Sequence, residues 1–278
     1  MFLSFTIIAI GSAFFAAIAN IIARSLLKNL SSRDFVGINF LTMGATMVLV
    51  SPFFYHFQAT IWLIIILAGM ALVDTLANYL YFKTFENTEA IIATPILSLI
   101  PAFTFFFSWI ILKENTGWQT YLICLIIILA VVFFSVDFKN FSQFKKFTLV
   151  PAISSAILFG LTAIPLKILL SSGAINSPTL YMYRAGFIAL FSLLFFKFPL
   201  RDISTKQYWT IFARGLFVIA QYILLYFAIN QGNTGVALTL GNITPVFVFI
   251  LGIIFLHEKP TIKKALTATL ILILSLII

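Results

Sequence analysis

The chain has 278 residues, 62% of them hydrophobic and only 9% charged, with a mean hydropathy of +1.12. A soluble domain carries roughly 25% charged residues and about half apolar ones, so this composition excludes a soluble protein and points to helices in a bilayer. The formal charge of +9 lies in short segments between apolar runs, which serves membrane orientation and excludes a nucleic-acid partner.

In chain order, apolar runs with charged or turn-rich borders predict ten helices of bilayer length. They cover 2–23, 35–55, 61–82, 89–112 and 118–136, then 147–170, 178–196, 208–229, 234–256 and 262–278. The first run has no basic start and no small-residue cleavage site, so it reads as a membrane helix rather than a signal peptide. Alternating strands of a membrane barrel are absent. The single cysteine, Cys124, lies inside an apolar run and leaves no internal disulfide to form. Motifs for phosphate or metal (GxxxxGK[ST], HExxH, CxxC) are missing as well, so neither an enzyme nor a cofactor is expected.

The second five helices repeat the first five. Ser98, Pro101 and Glu114 recur as Asn242, Pro245 and Glu258 at one spacing, 144 residues, and Tyr81 and Phe82 recur as Tyr226 and Phe227. Ser12 matches Ser155, and Trp62 and Trp209 open the third helix of each half. The predicted fold is therefore all-α and integral to the membrane, with halves at 1–137 and 147–278. Five helices per half is an odd number, so the second copy enters the bilayer inverted.

On these doubled signatures the chain resembles the EamA branch of the drug/metabolite transporter superfamily. The signatures run from Tyr81-Phe82 to Glu114 and from Tyr226-Phe227 to Glu258, each with a proline midway, and the likeness extends over essentially the whole chain. It implies a carrier of small metabolites, often amino acids or related solutes, with a central cavity between the halves.

Several polar residues lie where lipid would penalise them. Asp74 is near the middle of the third helix, where a lipid-facing carboxylate costs on the order of 3 kcal/mol or more. Asn78 and Tyr81 continue its face. Either Asp74 couples protons or binds a cationic group, or it forms a structural ion pair, with Arg214 as the expected partner. Gln221 and Tyr222 lie two turns beyond Arg214 and suit the polar ends of a zwitterion, or an inter-helix hydrogen bond. Arg184, just after Tyr181 and Tyr183, either grips a carboxylate or phosphate or snorkels to the surface. Asn242 and Pro245, echoed by Ser98 and Pro101, mark a kink that is a gate or cavity wall if it moves and a packing feature if it does not. Glu114 and Glu258 are expected to cap the helices that follow them.

The reading that follows is a secondary transporter of the plasma (inner) membrane, moving amino acids or related zwitterions by alternating access. Its partners would be the lipid bilayer, the small-molecule substrate and protons as a coupling ion. Rival readings are a carrier of nucleoside-, choline- or S-adenosyl-type solutes and a flippase for lipid-linked carriers.

Orientation follows from the basic residues. Thirteen lie in or beside the loops after odd-numbered helices, and two, Lys113 and Lys167, beside the loops after even-numbered ones. Basic loops stay cytoplasmic, which places both termini outside, whereas the family resemblance implies both inside. A reporter fused after Ile278 is expected outside the cytoplasm; a cytoplasmic signal from that fusion would overturn the loop count.

Overall fold

The computed structural model describes residues 2–27, 30–87, 97–115, 117–135, 146–196, 203–256 and 262–277. The helices are α1 (Phe2–Leu26), α2 (Ser32–Val50), α3 (Ile61–Asn87), α4 (Ile100–Phe107), α5 (Trp118–Ser135) and α6 (Lys146–Ser171). They continue with α7 (Ser177–Phe196), α8 (Thr205–Gln231), α9 (Thr234–Gly241), α10 (Thr244–Leu256) and α11 (Ile262–Ile277). Among the described residues, seven helical segments are long and apolar enough to cross a membrane, α9 and α10 together forming one of them. Three shorter apolar ones are Ile100–Leu112, Trp118–Phe133 and Ala265–Ile277. The first part of the predicted fourth helix (88–96, with Pro95), the segment 136–145 between the halves and Glu258 lie outside the described residues.

Helix ends follow local chemistry. Ser31 caps α2 by accepting from the Asp34 amide, and Ser204 with Gln207 forms a reciprocal capping box on α8. The second helix stops at Val50 rather than 55, because Pro52 supplies no amide to extend the ladder and the chain tightens into a 3₁₀ turn over Ser51–Phe53. Gly173 turns the chain out of α6 at φ +68°, a conformation that costs glycine little.

The helix contacts map onto themselves when the halves are exchanged. α1 packs on α8 as α6 packs on α3, and α1 packs on α9 and α10 as α6 packs on α4. α2 meets α7, and α5 meets α11. The chain is thus an all-α membrane protein of two inverted five-helix repeats. Close approach at one of these contacts depends on Gly160: a Cβ there would lie 2.7 Å from Phe103 Cβ and 3.0 Å from the Thr104 amide nitrogen.

The two helices expected to be kinked by proline are broken instead. In the second half the break falls at Asn242 and Ile243, and Pro245 sits in the first turn of α10. In the first half, turn residues Ser98 and Leu99 precede α4, whose first turn holds Pro101. Proline suits that position, since amides of the first turn have no partner within the helix. The breaks also touch. Asn242 Nδ2 donates to the carbonyl oxygen of Ser98 at 3.1 Å, joining the two residues that the repeat equates.

Each membrane crossing reverses direction, so the loops after even-numbered spans share one end of the bundle, and that end is tied across the halves. Asn176 Nδ2 donates to Phe54 O at 2.7 Å, the Gln58 amide to Ala174 O at 2.8 Å, and the His56 amide to Thr179 Oγ1 at 3.0 Å. Glu114 was expected to cap the helix after it. Its carboxylate accepts instead from the Thr234 amide and hydroxyl of the other half, both at 2.9 Å. A π-helical turn over Ser108–Leu112 and a left-handed Lys113 (φ 53°) precede it and set its direction. Lys167 stands 3.9 Å from that carboxylate and donates to Ile229 O and Gly232 O at 2.6 and 2.7 Å, closing the C-terminus of α8.

Candidate functional site

The site begins with a charge that hydrocarbon will not hold alone. Asp74 on α3 is fully buried, and its Oδ2 accepts from Arg184 Nε at 2.5 Å. Arg184, on α7, is itself only 5% exposed. Its Nη1 donates to Tyr226 OH at 2.6 Å, and its Cζ stands 4.9 Å above the ring of Tyr222. Tyr222 in turn stacks on Tyr181 at 5.4 Å, and the Tyr181 hydroxyl donates to Met43 Sδ at 3.0 Å. One carboxylate, one guanidinium and three phenols therefore fix α3, α7 and α8 relative to each other.

The partner of Asp74 is thus Arg184 and not Arg214. Nor does Arg184 snorkel: its side chain turns inward to the carboxylate. Arg214, on α8, is equally buried but makes different contacts. Nε donates to Ala19 O at 3.2 Å and Nη1 to Asn39 Oδ1, while Cζ lies 5.1 and 5.7 Å from the rings of Phe35 and Phe82. Among the described residues no carboxylate forms an ion pair with it.

These groups face a cavity of about 170 Å³. Its walls come from both halves, from α1, α2, α3, α4, α6, α7, α8, α9 and α10, while α5 and α11 stand outside it. Asp74, Asn78, Tyr81, Arg184, Arg214, Gln221, Tyr222 and Asn242, the residues singled out from sequence, all line it. Ser98, Pro101 and Pro245 do not; they sit at the helix breaks behind Asn242. Asn78 Nδ2 is engaged by its own helix, donating to Asp74 O at 2.8 Å. Asp74 Oδ1 is buried and has no hydrogen-bond partner among the described residues.

Sequence reading missed Asn39 and the bonding role of Tyr226. The signal for Asn39 was available, an amide inside the apolar stretch VGINFLTM. Tyr226 was noted only as half of a repeated signature. Among the described residues no group of three metal-ligating side chains occurs.

The sequence comparison agrees with this architecture. A model of the EamA-like transporter family matches residues 3–136 and again 146–278. The chain belongs to the EamA-like transporter family. It is accordingly a multi-pass membrane transporter rather than an enzyme, and its partners are the membrane and a small-molecule substrate. No curated protein matches the chain. One solved structure, described only as the crystal structure of a protein, superposes with a TM-score of 0.77 at 15% identity, covering 98% of this chain and 95% of that one. That likeness concerns the fold.

Breaking a buried ion pair by removing one partner costs about 3–5 kcal/mol, because the other charge stays buried. Asp74→Asn is expected to lower the unfolding free energy in detergent by about 3 kcal/mol. Adding Arg184→Gln is expected to recover part of that loss. A double variant whose loss equals the sum of the singles would show that the two side chains are not coupled.

Proposed function

We propose that this transporter moves amino acids or related zwitterions across the plasma (inner) membrane by alternating access. One observation carries the reading. A single cavity is lined by Asp74, whose buried Oδ1 has no hydrogen-bond partner among the described residues, and by Arg214, whose guanidinium has no carboxylate partner among them. A zwitterion brings an ammonium for the first and a carboxylate for the second. The amides of Gln221 and Asn242 and the ring of Tyr222 supply the remaining polar and flat wall. Interactions of this kind gain strength where water is excluded.

The gates in this reading are the helix breaks at Ser98 with Pro101 and at Asn242 with Pro245. A broken helix bends at lower cost than an intact one, and inverted copies put two such points at mirrored depths. The bonds that tie the even-loop end across the halves support a state with that end shut. Protons are the coupling ion in this reading.

Counterflow in proteoliposomes across amino acids, nucleosides and choline-like amines tests the cargo, and a pH gradient across the same vesicles tests the coupling. Amino acids are expected to exchange; exchange confined to nucleosides or amines would replace the reading. Asn242→Ala tests the gates. Removing one hydrogen bond worth about 1 kcal/mol shifts the balance between two states about fivefold. The variant is expected to turn over more slowly even at saturating cargo, and unchanged turnover would leave the breaks as static features.

A further inference from the structure

We propose that Arg214 is the anchor for a carboxylate on the cargo, with Asn39 as its positioning residue, and that solutes lacking such a group are excluded. The inference rests on the cavity being the cargo site, as proposed above, but not on the cargo having an amino group.

Charge balance is the first argument. The charged side chains lining the cavity among the described residues are Asp74, Arg184 and Arg214. Asp74 and Arg184 cancel in their ion pair, so one positive charge remains, on a side chain only 5% exposed. A buried charge without a counter-charge is costly, and a monoanionic group entering the cavity removes that cost. A cation such as a quaternary amine would add a second positive charge to the same space.

Hydrogen-bond capacity is the second. A guanidinium has five N–H donors in a plane. One on Nε goes to Ala19 O and one on Nη1 to Asn39 Oδ1, which leaves three, both of those on Nη2 included. The aromatic rings of Phe35 and Phe82 lie against the guanidinium. What is left for cargo on Arg214 is a set of donors that a carboxylate, as an acceptor-only group, can meet. Arg184 does not take this role, since its charge is already balanced by Asp74 in the ion pair.

Asn39 explains why the charge stays open. Its Oδ1 orients Arg214 without neutralising it. Asn39→Asp would keep the acceptor and the shape while placing a carboxylate where the cargo's charge is needed.

The test uses the purified full chain and matched solute sets built on leucine, phenylalanine and serine. Each set contains the amino acid, its amide, the decarboxylated amine and the deaminated acid, with binding measured by calorimetry. Carboxylated members are expected to bind, and amides and amines not. Asn39→Asp is expected to stay folded, melt no lower than the parent and lose about a hundredfold in affinity for the carboxylated members. Arg214→Gln should lose affinity likewise. An amide or amine that binds as tightly as its parent acid overturns the anchor, as does Asn39→Asp with parental affinity or the absence of binding by every carboxylated member. If deaminated acids bind and amino acids do not, the zwitterion reading fails while the anchor stands. If amino acids bind Asn39→Asp as they bind the parent, the anchor fails while the zwitterion reading stands.

Discussion

The Asp74–Arg184 ion pair is the constraint to which the rest of the interior answers. Either charge alone in hydrocarbon costs several kcal/mol, so α3 and α7 must present these side chains to one another. That demand fixes the rotation of both helices about their axes. Once it is met, the phenols of Tyr222 and Tyr226 come to lie against the guanidinium, and α8 is fixed as well. The cavity is what remains among helices whose polar faces are committed inward. Their apolar residues, such as Leu72 and Leu76 beside Asp74, are left exposed to lipid.

Repetition supplies the second constraint. Inverted halves bring equivalent elements together near the pseudo-twofold axis, which is why Ser98 and Asn242 meet. The exchange is not a copy at the level of side chains. Asn242 contributes an amide that Ser98 lacks, and the bond runs from the second half to the first-half backbone. That bond joins the two helix breaks directly.

Much of this was legible in the sequence, for physical reasons. Length and hydropathy fix membrane spans closely, and a polar residue in the middle of such a span has nowhere to point but inward, so the eight residues chosen on that basis all line the cavity. Depth along a helix is readable; azimuth and neighbours are not. Arg214 and Arg184 both suited Asp74 by depth, and only the packing of α3 against α7 decides for Arg184. Glu114 went astray in the same way, because the amide it caps lies 120 residues on in the other half. The prolines were placed correctly, but whether a proline kinks a helix or starts one depends on the residues before it, here the turns at Ser98–Leu99 and Asn242–Ile243.

The asymmetry of the site becomes intelligible once its two polar pairs are compared. Exchanging the halves carries α7 onto α2 and α3 onto α8. The contact of Arg184 with Asp74 joins α7 to α3; that of Asn39 with Arg214 joins α2 to α8. They are the same joint, built twice. In one copy the joint holds a cation and an anion and is electrically closed. In the other it holds a cation and an amide, and a charge is left over. A symmetric scaffold permits two gates that open in turn, but a symmetric site would have two closed joints or two open ones. With one of each, the first joint has its charges balanced within the protein itself. In the reading proposed above, the second gains its missing charge when cargo binds, and a ligand shifts a two-state equilibrium only by interacting differently with the two states.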